Sequence, residues 1–286
     1  MTVSVVTDSV AAIPDEDARE LDIEVVSLYI NDGETNLQEV DIDVADFYRR
    51  LVSMNTLPTS SQPSVESLVN AFRSAIERGS DVVGVFISAK MSGTFETALM
   101  AAEMVRSEYP DARIEIVDSG SNSMQEGFAA LAAAQAARAG ETLDRCVQAA
   151  RDTISRTRYL FTPASLDNLR RGGRIGGASA LIGGLLQIRP ILTVEQGETQ
   201  TFAKVRTQGR ALAEITKKFA EDVAEHGLVQ VIVHYIGEPG PAEEFAAEFI
   251  EPIAGHPVRV LPVSPVIGVH VGQAVAIVYQ TERELR

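Results

Sequence analysis

Hydroxyl groups placed just after short apolar runs are the residues of this chain best suited to chemistry. The fullest example is Ser88-Ala89-Lys90-Met91-Ser92-Gly93-Thr94, which follows the largely β-branched run Asp81 to Ile87. After it, Phe95, Leu99, Ala102 and Val105 recur at helical spacing. An unbroken apolar run of that length is the pattern of a strand covered on both faces in a parallel sheet. Strand, polar loop and helix together favour an anion, because a helix start has amide N–H groups without partners and the positive end of the helix dipole. Parallel sheets also place ligands beyond the carboxyl ends of their strands, where Ser92, Gly93 and Thr94 would lie. The plain alternative is that Ser92 or Thr94 only caps the helix, and this stretch alone does not choose between the two.

Other polar loops raise the same question. Thr7-Asp8-Ser9 reads first as a helix cap, whereas Thr59-Ser60-Ser61-Gln62-Pro63 holds more hydroxyls before a proline than one cap requires. Arg170, Arg171 and Arg174 form the densest basic cluster, in a glycine-rich stretch that is either a tight turn or a contact for an anion or acidic partner. His270, between Gly268 and Gly272, reads as a loop residue, with glycines that permit close backbone approach to a ligand. The chain has no phosphate-binding P-loop, no G-x-G-x-x-G dinucleotide turn and no G-x-S-x-G nucleophile elbow. His226, His234, His256 and His270 have no metal-ligand spacing, so no metal and no other cofactor is expected.

Composition sets the class. A chain of 286 residues with 45% apolar and 23% charged residues is ordinary for a globular protein, and its length suggests two domains. The net charge of -15 argues against nucleic acid and anionic lipid surfaces as partners. The single cysteine, Cys146, cannot form an internal disulfide and reads as a small buried side chain. The start, Met1-Thr2-Val3-Ser4-Val5-Val6, lacks the basic opening of a signal peptide, so a cytoplasmic protein is expected. The most membrane-like segment, Ala178 to Val194, is interrupted by Gln187, Arg189 and Pro190, and reads as a core helix followed by a strand.

The elements that must position these residues alternate. Strands are predicted over Val3–Val6, Val25–Ile30, Asp81–Ile87 and Arg113–Val117, with helices over Asp15 onward, Asp43–Met54, Val65–Glu77, Phe95–Arg106 and Met124–Ala139. Repeated strand-helix units imply a parallel sheet flanked by helices. After residue 157 the rhythm changes: a strand at Tyr159–Phe161, a short helix at Ser165–Arg170, a hairpin turning at Gln196-Gly197, helices over Thr207–His226 and Ala242–Phe249, and strands over Val229–Tyr235, Val258–Leu261 and Ala274–Tyr279. The fold class is therefore α/β with an N-terminal parallel-sheet domain over 1–157 and a C-terminal α+β domain over 158–286.

Taken in order, the loops resemble the DegV family of bacterial fatty-acid-binding proteins, which act as FakB subunits of fatty acid kinase. The matching pieces are Thr7-Asp8-Ser9, Ser60-Ser61-Gln62-Pro63-Ser64, Ser88 to Thr94, Val117-Asp118-Ser119, Gly172-Gly173-Arg174-Ile175, Gly183 to Leu192 and Val269-His270-Val271-Gly272. The resemblance implies two domains with a lipid enclosed between them, and a carboxylate held by the hydroxyls that match Ser60 and Ser92. The amides around Gly93 and Thr94 could supply further donors to such a carboxylate, and His270 is a further candidate for the ligand site. Three positions depart from the family pattern: Ser60 stands for the usual threonine, with Thr59 beside it; Ala12 stands where many members have aspartate; and Gln273-Ala274 replaces a common Pro-Gly.

The function this implies is non-catalytic. The protein would bind a long-chain fatty acid, present its carboxyl group to a separate ATP-dependent kinase and carry the acyl phosphate into phospholipid synthesis. Arg170, Arg171 and Arg174 are then candidates for contact with that kinase or with the transferred phosphate. Two alternatives stand beside it: a serine hydrolase of lipid esters or acyl phosphates, with Ser92 as nucleophile and His270 as base, and a lipid sensor.

Overall fold

The computed structural model describes residues 2–33, 35–51, 54, 57–181 and 188–285. The chain divides into two compact units, Met1–Asp41 with Ser60–Ser155, and Ile42–Thr59 with Arg156–Arg286. The sequence reading drew one boundary after residue 157 and did not foresee that the segment from Ile42 to Thr59 belongs with the later residues. In chain order, the first unit opens with β1 (Thr2–Asp8), α1 (Asp15–Glu20), β2 (Ile23–Val26), β3 (Tyr29–Asn31) and β4 (Asn36–Gln38). Helix α2 (Val44–Leu51) falls in the second unit. The first unit resumes through β5 (Thr59–Ser61), α3 (Val65–Glu77), β6 (Ser80–Phe86), α4 (Thr94–Glu108), β7 (Ile114–Asp118), α5 (Ser123–Arg138) and α6 (Leu143–Ser155).

Among the described residues, β2, β1, β6 and β7 form a parallel sheet in that order. Every residue of β6 is buried, which is why the run reads as continuously apolar rather than alternating. The predicted strand over Val25–Ile30 is two strands: β2 belongs to the parallel sheet, while β3 pairs antiparallel with β4 in a separate small sheet that β5 completes. The break falls at Ser27, whose hydroxyl donates to Leu28 O at 2.7 Å and accepts from Val40 N–H at 3.3 Å, taking the chain out of the first ladder.

Helix α5 is Ala-rich because it is almost wholly enclosed, with Phe128, Ala129, Ala130, Ala133 and Ala134 buried. Gly127 is needed for space: a Cβ there would come 2.6 Å from Ala11 O and 2.8 Å from Met124 Sδ. Packed against α5 is α6, which the sequence reading did not identify, although its buried Leu143, Cys146, Val147 and Ala150 follow helical spacing.

The second unit continues with β8 (Thr157–Pro163), α7 (Asp167–Arg171), β9 (Arg189–Glu195), β10 (Glu198–Val205), α8 (Gln208–His226), β11 (Gln230–Ile236), α9 (Gly240–Phe245), α10 (Glu251–Ala254), β12 (Arg259–Pro262), α11 (Pro265–Val271) and β13 (Ala274–Gln280). Its described strands form one mixed sheet in the order β10-β9-β8-β13-β11-β12, antiparallel except where β12 joins β11. The predicted hairpin is present: Gln196 and Gly197 have φ of 53° and 82°, the left-handed pair that a two-residue hairpin turn requires. The core helix expected from Ala178 is a short 3-10 turn over Gly176–Leu181, and residues 182–187 lie outside the described residues.

Helix α2 belongs to this unit because Tyr48 anchors it there. The phenol donates to Val263 O at 2.6 Å, and its ring lies so close to Gly268 that a Cβ would approach Tyr48 Cε1 to 2.5 Å. Elsewhere in the unit, the buried Asp222 carboxylate forms ion pairs with Arg158 and Lys218, each at 2.9 Å, and accepts the Tyr279 hydroxyl at 2.7 Å. Burial and that carboxylate push the Tyr279 phenol far above its ordinary range.

Two predictions follow from buried charge. In the first unit Asp8 and Glu126 are both fully enclosed. Burial pushes the Asp8 carboxyl up to about 7, with Glu39 adding to the shift, and burial, Asp8 and Asp118 push Glu126 well up. The folded unit therefore retains protons that the unfolded chain releases from about pH 4 upward. Stability should fall as pH rises from about 4 through about 7, at up to about 1.4 kcal/mol per pH unit for each retained proton. In urea titrations at pH 5 and pH 8, Glu126→Gln should reduce the difference between the two. In the second unit, Asp222→Ala removes the carboxylate shared by Arg158, Lys218 and Tyr279, leaving Arg158 only Glu195 at 3.9 Å, and should cost about 3 to 5 kcal/mol in the same measurement.

Candidate functional site

The loop after β6 is shaped by its own backbone and by an acid beneath it. Asp8, at the end of β1, accepts the N–H of Ile87 at one oxygen and that of Val10 at the other, each at 3.0 Å. It thus caps the short turn over Ser9–Ala11, as Thr7-Asp8-Ser9 suggested, and also holds the first residue beyond β6. That turn ends at Ala12, which has a φ of 54°, a left-handed conformation in which aspartate is better accommodated than alanine. The Ser88 carbonyl then accepts from Met91 N–H at 2.9 Å and Ser92 N–H at 3.1 Å, which folds the loop into a tight turn.

Ser92 and Thr94 meet at the start of α4. Their hydroxyls lie 2.8 Å apart, and Thr94 N–H donates to Ser92 Oγ at 3.3 Å. Gly93 is the residue preceding the helix, and no side chain caps it there. Ser92 therefore does part of what a cap does: it stands just outside the helix, and its hydroxyl takes the N–H of Thr94, the first helical residue. The positive end of the helix dipole lies at this point, which favours an anion.

The Ser60 loop is brought to this point by Gln62. Its amide Nε2 donates to Thr97 Oγ1 at 2.6 Å, and Thr97 Oγ1 in turn donates to Gly93 O at 2.8 Å. Ser60 is half-buried, while Thr59 beside it is exposed. Ser64 caps α3 by accepting Ser67 N–H at 3.0 Å, so the hydroxyls of this stretch divide between capping and the loop itself.

In the second unit, His270 lies on the last turn of α11 and not in a loop. Ser264 caps that helix and Pro265 begins it, a start signal that the glycines around His270 obscured. Asn168 on α7 donates to Val269 O at 3.0 Å, and Gly172 lies so near His270 that a Cβ would approach its Nδ1 to 2.3 Å. Burial and the Arg174 guanidinium push the His270 imidazole down to about 4, so it is neutral at neutral pH. Arg170, Arg171 and Arg174 are exposed; Arg170 pairs with Asp167 at 3.6 Å, and Arg174 donates to Gly172 O at 2.6 Å.

Ser60, Ser92, Gly93 and Thr94 thus fall in the first unit, and His270, Arg170, Arg171 and Arg174 in the second. Sequence reasoning did not give roles to Gln62, Thr97 or Glu126. Thr97 carried a signal in its spacing, one helical turn after Gly93. Glu126 carried another, as an acid inside an apolar Ala-rich helix. Among the described residues, no group of three or more His, Cys, Asp or Glu side chains could hold a metal, and no helix is long and apolar enough to cross a membrane.

The comparisons extend over nearly the whole chain. A family model described as "uncharacterised protein, DegV family" matches residues 2–282. A DegV domain-containing protein of Clostridium acetobutylicum is 40% identical over 287 residues, covering 100% of both chains. Among solved structures, a stearic acid-binding protein from Eubacterium ventriosum superposes with a TM-score of 0.89 at 26% identity, covering 98% of each chain. The Bacillus subtilis protein described as DegV, a fatty acid binding protein, gives a TM-score of 0.84 at 30% identity, covering 98% of this chain and 99% of that one. The loops quoted from the sequence and the match from residue 2 to residue 282 agree, and the chain belongs to the DegV family.

Proposed function

We propose that this protein binds a long-chain fatty acid in the cytoplasm, presents its carboxyl group to a separate ATP-dependent fatty acid kinase, and carries the acyl phosphate that results. The observation that carries this reading is the likeness, over 98% of the chain, to a solved protein that binds stearic acid. The start of α4, with the Ser92 and Thr94 hydroxyls beside it, supports a carboxylate there. Ser60 supplies a second hydroxyl from the loop that Gln62 ties to the same helix start. His270, neutral at neutral pH, is a further candidate for the ligand, and Arg170, Arg171 and Arg174 are assigned to the kinase or to the transferred phosphate.

Magnitudes divide the work. Burying roughly 15 methylenes at about 0.8 kcal/mol each gives on the order of 12 kcal/mol before ordering costs. A helix dipole contributes about 0.3 to 1 kcal/mol, up to roughly 2 when partly buried. The acyl chain therefore sets affinity, and the hydroxyls set orientation and head-group choice.

Protein purified from a bacterial host should release free fatty acid on extraction, seen by mass spectrometry. Ser92→Ala and Ser60→Ala should each weaken binding of added fatty acid, by roughly 1.5 to 3 kcal/mol for each hydrogen bond lost to a charged group. A larger effect from Thr59→Ala would move the contact to that residue. Protein that carries no lipid and takes up none would remove the reading.

Acyl phosphate formation from ATP separates carrier from enzyme. This protein alone and the kinase alone should make none, and the mixture should make product. Charge reversal at Arg174 should slow the mixture without releasing bound lipid. Hydrolysis of a lipid ester by this chain alone, lost in Ser92→Ala and in His270→Ala, would favour the hydrolase instead.

A further inference from the structure

Gln62 takes part in none of the contacts assigned above to the fatty acid, yet three constraints converge on it. It precedes Pro63, and the proline ring holds a preceding residue in extended backbone. Strand β5 ends one residue before it and the α3 cap at Ser64 lies two residues after it, so its backbone is fixed from both sides. Its side chain reaches across to α4, where Nε2 donates to Thr97 Oγ1 at 2.6 Å.

Gly93 is the counterpart of that reach. Its φ is -74° and its ψ 6°, a conformation open to any residue, so it is not glycine for the sake of its backbone angles. It is glycine for space: a Cβ at this position would lie 2.2 Å from Gln62 Oε1 and 3.0 Å from Gln62 Cδ, and the three nearest atoms all belong to Gln62. The Gln62 amide thus fills the space beside the residue that joins Ser92 to Thr94.

The hydrogen bonds run in one direction. Thr97 Oγ1 donates its proton to Gly93 O at 2.8 Å, so it can only accept from the outside, and Gln62 must turn its NH2 rather than its carbonyl toward it. Gly93 O, Thr97 Oγ1 and Gln62 thus form a relay that connects the backbone between Ser92 and Thr94 to the chain two residues beyond Ser60. Replacing Gln62 by a side chain without an NH2 donor breaks the relay, and so does removing the Thr97 hydroxyl.

We propose that Gln62 is a positioning residue that sets the spacing between the Ser60 and Ser92 loops through Thr97 and Gly93, and thereby selects a carboxylate head group. This rests on the fatty-acid reading and deepens it. Gln62 acts through the two loops and does not itself touch the ligand.

The test measures dissociation constants for palmitate and for hexadecanol, which shares the chain but lacks the carboxylate, in delipidated full-length protein. Gln62→Ala and Thr97→Val should each weaken palmitate by roughly two- to tenfold, as expected for one lost neutral hydrogen bond, and leave hexadecanol unchanged. Thr97→Ser retains the hydroxyl and should restore the wild-type preference. Gly93→Ala should weaken palmitate by displacing Gln62, and should add nothing to Gln62→Ala in the double variant. Equal losses for palmitate and hexadecanol, or a Thr97→Ser variant that behaves as Thr97→Val, would reduce Gln62 to a structural role and overturn the proposal. Unchanged palmitate binding in Gln62→Ala would overturn it too, with the fatty-acid reading intact. Wild-type protein that binds neither ligand would overturn that reading and this proposal together.

Discussion

A buried carboxyl group that takes two backbone amides underlies the architecture of the first unit. Asp8 ends β1, and its two oxygens take the N–H groups of Val10 and Ile87, so one side chain fixes the chain as it leaves two neighbouring strands. Glu126, reaching from α5, is buried against it. Two acids can share such a space because burial raises both of them until protons are retained. The cost is accepted at the end of the sheet where the loops leave it, and the Ser88 to Thr94 turn starts from the amide that Asp8 holds.

The two units position their polar residues by different means. In the first, the loops hang from a parallel sheet whose central strand is buried throughout, and the geometry is set by side chains that satisfy backbone amides: Asp8 at Ile87, Ser92 at Thr94, Ser64 at Ser67. In the second, close approach matters more. Tyr48 lies over Gly268, and His270 over Gly172, at separations that exclude a Cβ. Gly172, Gly173 and Gly268 therefore do not mark one flexible loop. Gly173 supplies a positive φ of 71°, while Gly172 and Gly268 make room for a neighbouring side chain.

Much of the fold was legible because its signals were local. The buried strand β6 gave a continuous apolar run, α3 began at its serine cap, and the hairpin showed its left-handed turn pair. What the sequence hid was set by distant partners. Strands β2 and β3 look like one strand until Ser27 bonds across to Val40. Helix α11 looks like a glycine-flanked loop because Gly268 answers to Tyr48, 220 positions earlier in the chain. The same holds at the candidate site: Ser60 and Ser92 stood out as hydroxyls in loops, but Gln62 acquires a role only when Thr97 and Gly93 are seen beneath it.

The proton arrangement at Ser92 bears on which chemistry the loop favours. Thr94 N–H donates to Ser92 Oγ, and the Thr94 hydroxyl lies 2.8 Å from the same atom. When Thr94 donates there as well, both acceptor positions of Ser92 are filled and its own O–H is left to donate elsewhere. A hydroxyl in that state is a donor seeking an acceptor, which a carboxylate provides. A nucleophile needs the reverse, a base to take that proton and a lone pair free to attack. The groups bound to Ser92 Oγ in the loop are a hydroxyl and an amide, and neither is a base. With Thr94 as the donor, Ser92 is set to hold an anion rather than to attack an ester.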